Sequence, residues 1–222
     1  MKKSILALCA LTLAAGLAGC GGGSSSHTVG GTVTGLSYGP LVLVTNGMEI
    51  SLSPKTEGVA ADIAYTFPNQ LDYGDLYDVN LKQIGTDPTT GAPIYQQPPH
   101  QICEPVSGTK DSAGRLSTIN AVINCGLVTN TVGGTITGLN ADNLVLINGS
   151  SGGTIEVKKN AATPPVYPST FSFATPVTYG QTYGVTVLTQ PTGQTCTVDK
   201  GTDVMRDNPV VNIAVTCVNN PT

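Results

Sequence analysis

The sequence predicts an all-β protein made of two tandem β-sandwich modules. Three observations carry this. The stretch TVGGTVTGL at residues 28–36 returns as TVGGTITGL at 131–139, differing only in Val33 against Ile136. Apolar and polar residues alternate with a period of two, as where Tyr77, Val79 and Leu81 interleave with Asp78, Asn80 and Lys82. Turn pairs such as Asn46-Gly47, Asn148-Gly149 and Gly152-Gly153 punctuate the chain every ten residues or so.

The likeness does not stop at the nonapeptide. Leu41-Val42-Leu43-Val44 matches Leu144-Val145-Leu146-Ile147, and MEISL at 48–52 matches TIEVK at 154–158. Tyr65-x-Phe67 matches Phe171-x-Phe173, and Tyr73-Gly74-x-x-Tyr77-x-Val79 matches Tyr179-Gly180-x-x-Tyr183-x-Val185. Gln97-Pro98-x-x-Gln101-x-Cys103 matches Gln190-Pro191-x-x-Gln194-x-Cys196, and 120–125 matches 212–217. The repeats therefore occupy residues 28–126 and 131–219, each of about 90 to 100 residues, an ordinary domain size. In the last strand Val211, Ile213, Val215 and Cys217 are expected on one inward face. No stretch of either repeat shows a 3.6-residue period, and six or seven short strands per unit imply a sandwich.

Ahead of the repeats, Lys2 and Lys3 precede an apolar run from Ile5 to Leu17 that is too short to span a bilayer as a mature helix. The run ends in Leu17-Ala18-Gly19-Cys20. This resembles the lipobox of bacterial lipoproteins. The resemblance implies a signal peptide over residues 1–19 and acylation (palmitate-type lipid) of Cys20, followed by a Gly/Ser tether to residue 27 that includes His27. Several acyl chains make a stable anchor. An aspartate after the cysteine resembles an inner-membrane retention signal; Gly21 stands there, which implies the outer membrane, on its periplasmic or surface face.

Of six cysteines, Cys9 leaves with the signal peptide and Cys20 takes lipid. The remaining four allow three pairings. Because each repeat carries two at matching strand positions, the duplication selects Cys103 with Cys125 and Cys196 with Cys217. Export to an oxidising compartment favours such bonds. Closing a loop of about 20 residues stabilises by roughly 3 kcal/mol on the loop-entropy model. There is no Cys-x-x-Cys redox pair, and His27 and His100 are the only histidines.

Catalytic patterns are scarce, and no enzyme, cofactor or metal site is expected. Gly149-Ser150-Ser151-Gly152-Gly153 fits Gly-x-Ser-x-Gly, but it falls at a hairpin turn with no later histidine. Asp72 and Asp75 flank a turn, and His100 sits in a Pro-rich loop, each read as solvated surface. Only 11% of residues are charged and the net charge is −4, so nucleic acid is not an expected partner. The repeats differ most at residues 85–97, where the first has about 13 extra residues, expected as a long loop. Tyr95 in that insertion, Tyr167 in the Pro-rich 164–168 stretch and Tyr38 are the candidate contact residues.

The run FSFATPVTYGQTYGVTVLTQPTGQTCTV at 171–198 resembles repeat modules of secreted bacterial lipoproteins. More loosely it resembles prealbumin-like and Ig-like sandwiches, through the Gly-x-x-Tyr-x-Val element at 74–79 and 180–185. That likeness implies a fold rather than an activity. One subclass of such modules forms a Lys–Asn isopeptide bond from a first-strand lysine; residues 29–36 and 132–139 contain none. The expected function is a non-catalytic, lipid-anchored envelope protein with a structural or adhesive role. The alternative is a carbohydrate- or peptide-binding accessory subunit of an envelope complex. The expected partners are the membrane, through the anchor, and an envelope protein or glycan.

Overall fold

A computed structural model describes residues 25–161 and 166–221. The signal peptide expected over residues 1–19, the expected lipidation site Cys20, most of the Gly/Ser stretch and Pro164-Pro165 lie outside the described residues. In the first repeat the strands are β1 (Ser26–Leu36), β2 (Leu41–Thr45), β3 (Met48–Leu52), β4 (Ala61–Asp72), β5 (Leu76–Asp78), β6 (Asn80–Leu81), β7 (Gln83–Thr86), β8 (Pro93–Tyr95), β9 (Gln101–Ser107), β10 (Lys110–Ser112) and β11 (Ala121–Leu127). Next come β12 (Thr129–Asn130), β13 (Val132–Thr137), β14 (Val145–Asn148), β15 (Thr154–Glu156), β16 (Thr170–Ser172), β17 (Val177–Thr178), β18 (Thr182–Thr189), β19 (Gln194–Asp199), β20 (Thr202–Val204) and β21 (Val210–Asn219). The fold is all-β, and no helix occurs among the described residues.

The two repeats build the same main sheet, in the order β4-β1-β11-β9 and β16-β13-β21-β19. Facing it are β3-β2-β6 in the first repeat and β15-β14-β18-β20 in the second. Each pair of sheets closes on its own apolar core. Val29, Val33, Phe67, Leu41, Leu43, Leu81 and Ile123 fill one, and Val132, Ile136, Leu144, Leu146, Phe173, Ile213 and Val215 the other. The edge-to-face pair Tyr65–Phe67 in the first repeat has its counterpart in Phe171–Phe173. Tyr65 differs in carrying a hydroxyl, which donates to Ala121 O at 2.7 Å; burial pushes its pKa well up, so it remains a donor.

Hydrophobic periodicity gives no hint of one feature of the main sheet: the first and last strands of each repeat run parallel. Gly31 pairs with Ala121, and its counterpart Gly134 with Ile213. Here the repeated nonapeptide finds its physical reason. A Cβ on Gly31 would collide with the backbone of Ala121, and a Cβ on Gly134 with that of Ile213. Gly35 and Gly138, at φ +71° and +73°, turn the chain off the first strand in the left-handed region. The motif is kept twice because one strand must approach a parallel neighbour closely and then turn sharply.

Each disulfide joins directly opposed residues, Cys103 with Cys125 across β9 and β11, and Cys196 with Cys217 across β19 and β21. The glutamines of the QPxxQxC motif complete this corner. Gln97 Oε1 accepts from Cys103 N at 2.7 Å while its Nε2 donates to Cys103 O at 3.2 Å; Gln190 does the same for Cys196 at 2.7 and 3.0 Å. The side-chain amide thus stands in for a neighbouring strand. The second glutamine is buried and staples the loop after the first strand. Gln101 Oε1 accepts from Ser37 N and Tyr38 N, and its Nε2 donates to Gly35 O. Gln194 does likewise for Asn140 N, Ala141 N and Gly138 O.

Three expectations are corrected. Val211 is 70% exposed rather than inward, because the β13–β21 register slips between Val132↔Val210 and Gly134↔Ile213, a bulge that re-aims one side chain. The insertion at 85–97 is not a structureless loop. It forms the β7–β8 hairpin, whose tip is tied by Asp87 Oδ1 accepting from Thr89 N and Thr90 N, both at 2.8 Å. Those backbone donors hold the Asp87 carboxyl below the usual carboxylate range. His27 belongs to strand β1, opposite Leu71, rather than to a solvated tether, and its Nε2 is buried without a hydrogen-bond partner.

Candidate functional site

The segment joining the repeats is short and fully engaged. Val128 N donates to His100 O and Tyr179 N donates to Val128 O, both at 2.9 Å. Thr129 and Asn130 then pair with Thr178 and Val177, and Asn130 Nδ2 donates to Arg206 O at 3.0 Å.

Over this joint sits a cluster drawn from both repeats. The His100 imidazole stacks on Tyr179 with ring centroids 4.0 Å apart and planes 10° from parallel. Tyr38 meets both rings edge-on, at 4.9 Å from His100 and 6.0 Å from Tyr179. His100 Nδ1 lies 2.8 and 2.9 Å from the two Asp207 carboxylate oxygens. A carboxylate only accepts, so Nδ1 carries the hydrogen in this contact. His100 is set for the role by its backbone: it occupies φ +59°, one residue ahead of the Gln101 staple that also fixes Tyr38. An aromatic pair is worth about 0.5–1.5 kcal/mol beyond its buried area, and a partly exposed imidazole–carboxylate hydrogen bond about 1 kcal/mol. The cluster therefore couples the repeats by a small but directional amount. His100, expected as solvated loop, is the residue the sequence reading undervalued. Its match to Gly193 does not single it out, since Pro99 against Thr192 and Ile102 against Thr195 differ within the same motif.

A second feature appears at the same place in both repeats, beside the first hairpin turn. In the second repeat it is a cleft of about 590 Å³, on whose walls Ser150, Ser151, Thr178, Gln181, Thr182 and Thr202 gather, with Pro176, Val177 and Tyr183 supplying apolar surface. No charged residue lines it among the described residues. Asn148 holds the turn rigid: its Oδ1 accepts from Gly184 N at 2.9 Å and its backbone carbonyl from Gly152 N at 2.9 Å. In the first repeat the matching hollow is about 410 Å³ and is bordered by Asn46, Leu76, Asp78 and Lys110. There the polar groups engage one another. Lys110 Nζ donates to Asp78 Oδ2 at 2.8 Å, which raises the lysine's pKa, and Asn46 Nδ2 donates to Leu76 O at 2.7 Å.

Of the tyrosines singled out in the sequence, Tyr95 is partly buried: it packs against the first core, and its hydroxyl accepts from Asn80 Nδ2 at 3.4 Å. Tyr167 donates to Asp142 Oδ1 at 2.6 Å, while Lys159 Nζ lies 3.3 Å from Asp142 Oδ2 and 5.1 Å from the centre of the tyrosine ring. The Tyr167 hydroxyl, and then Lys159, hold the Asp142 carboxyl below its usual range. Tyr38 lies in the junction. The structure does not bring these three together: each belongs to a separate contact set.

Ser151 sits in the β14–β15 hairpin turn, and no histidine lines its cleft. Asp75 Oδ2 accepts from Asp72 N at 3.0 Å, a turn contact. Among the described residues no group of three or more His, Cys, Asp or Glu gathers as a metal site, and no helix is long and apolar enough to cross a membrane. The chain matches no protein-family model and no curated protein sequence.

Proposed function

We propose that this chain is an exported, lipid-anchored protein of the bacterial cell envelope, without catalysis, in which two β-sandwich modules form a coupled structural or adhesive element. The observation that carries the reading is the pairing of equivalent stapling with a specific junction. Each repeat has its own buried cross-strand disulfide. His100, Tyr38, Tyr179 and Asp207 then hold one repeat to the next. Disulfides favour an oxidising compartment, which supports export. The lipobox-like run ending at Cys20 supports an anchor of permanent strength in the outer membrane.

The anchor is tested by feeding the host an alkyne fatty acid and recovering the protein. The expected result is label on the wild type and none on Cys20→Ser. A wild-type protein without label, cleaved elsewhere than before Cys20, would overturn it. The alternative reading, a carbohydrate- or peptide-binding accessory subunit, is favoured by one observation: the uncharged cleft of the second repeat.

A further inference from the structure

From the contrast between the two hollows we infer that the second repeat's cleft is a binding site for a neutral carbohydrate. The inference rests on the alternative reading above and not on the anchor. Its frame corresponds to that of the first repeat: Asn148 matches Thr45, each accepting from the facing backbone N–H, Gly149 matches Asn46, Gly184 matches Asp78 and Thr202 matches Lys110, while the longer turn over Ser150 and Ser151 belongs to the second repeat alone. In the first repeat Lys110 and Asp78 pair along the hollow and Asn46 turns to Leu76 O, so the polar groups are consumed internally. In the second repeat the ion pair is replaced by Gly184 and Thr202, the hollow is wider, and its polar rim is uncharged. Among the described residues, the side chains of Ser150, Ser151, Thr178, Gln181, Thr182 and Thr202 make no hydrogen bond within the protein.

The chemistry of that rim selects the ligand class. Hydroxyls and an amide both donate and accept, which suits a ligand whose own hydroxyls do the same. A carboxylate, phosphate or ammonium ligand would leave water for a cleft offering no counter-charge, a poor exchange. Pro176 and Val177 give the apolar strip on which the C–H face of a sugar ring would rest. At about 590 Å³ the cleft lies within the about 300–1,000 Å³ range of small-ligand sites. Its frame is rigid, because Asn148, 3% exposed, ties the hairpin turn to Gly184. The cleft also reaches β17, so a bound sugar would touch the strand that pairs with the inter-repeat segment.

The test uses the full chain and amide chemical shifts, with maltotriose, cellotriose, chitotriose and mannotriose as probes. The expected result is that at least one shifts the amides of residues 150–153, Gln181 and Thr202 in a saturable way, leaving residues 46–48 and 110–112 unmoved. The double variant Gly184→Asp with Thr202→Lys installs the first repeat's ion pair. A Cβ at Gly184 meets only Thr202 Oγ1, at 4.0 Å, so the variant should fold. It should weaken binding at least about tenfold with an unchanged spectrum elsewhere. Gln181→Ala, an exposed change, serves as a second variant that should weaken binding while leaving the melting temperature alone. Four blank titrations would overturn the inference, as would shifts confined to other surfaces or binding that survives the double variant. Triglycine binding at these residues with the sugars blank would overturn the ligand class. None of these results bears on acylation of Cys20, so the site and the anchor stand or fall separately.

Discussion

The pole of the first repeat that meets the second carries two rings, Tyr38 and His100; the matching pole of the second repeat carries Ala141 and Gly193. Beneath both poles the same buried glutamine, Gln101 or Gln194, makes the same three hydrogen bonds. His100 and Gly193 even share the left-handed backbone, at φ +59° and +72°. The frame is identical and only the side chains facing outward differ. A duplicated module keeps what holds its strands together, and it diverges where nothing in its own core depends on the residue. The two hollows teach the same lesson: an ion pair engages the first and an uncharged rim borders the second.

The shared frame should be the most fragile part. Gly134→Val forces a side chain into the backbone of Ile213 and should remove the second repeat's cooperative unfolding altogether, a loss above about 4 kcal/mol. Gly126→Val, where a Cβ meets nothing within 4 Å, is the control and should stay near neutral. Denaturant unfolding followed by NMR would separate them, and an equal effect at both sites would break the claim that close approach explains the repeated glycines.

Next in size is Gln194→Ala, which leaves the amides of Asn140 and Ala141 without their acceptor. A loss of about 2–3 kcal/mol is expected, with Gln101→Ala costing about the same. Gln101→Ala should in addition loosen the junction, since Tyr38 N is one of its donors. Equal behaviour of the two variants at the junction would contradict that link.

His100→Gly imports the second repeat's residue at the shared backbone geometry. It removes the stack on Tyr179 and the contact with Asp207, and should cost about 1–2 kcal/mol of coupling with each repeat's own stability unchanged. The readout is separation of the two repeats' unfolding midpoints in a calorimetric scan.

The smallest effect belongs to the exposed Asp142, Lys159 and Tyr167 set. Asp142 has a folded pKa below its unfolded value, so its contribution is present above the ordinary carboxylate range and is lost as pH falls through the depressed folded value. The ring resonances of Tyr167 should therefore move on acidification below about pH 4, and Asp142→Asn should abolish that movement.

The duplication, the β-class and the cysteine pairing were legible because each is written as spacing: a motif repeated, a period of two, two cysteines per copy. What stayed hidden depends on partners distant in sequence. Periodicity reports which face of a strand is apolar but not which strand lies beside it, so the parallel β1–β11 and β13–β21 pairs could not be read. The bulge that exposes Val211 interrupts a sequence that alternates without a break. Composition marks the 85–97 insertion as loop-like, yet Asp87 ties its tip and β7 pairs with β8. His100 looks solvated until Tyr179, far along the chain, is placed against its ring.

Residual dipolar couplings of backbone amides in the full chain, in one alignment medium, test the coupling of the repeats most directly. A single alignment tensor is predicted to fit the strands of both repeats, with His100→Gly splitting it into two of unequal magnitude. Two unequal tensors already in the wild-type protein would mean that the joint over Val128 swings freely and that the His100–Tyr179 clasp does not hold the modules together.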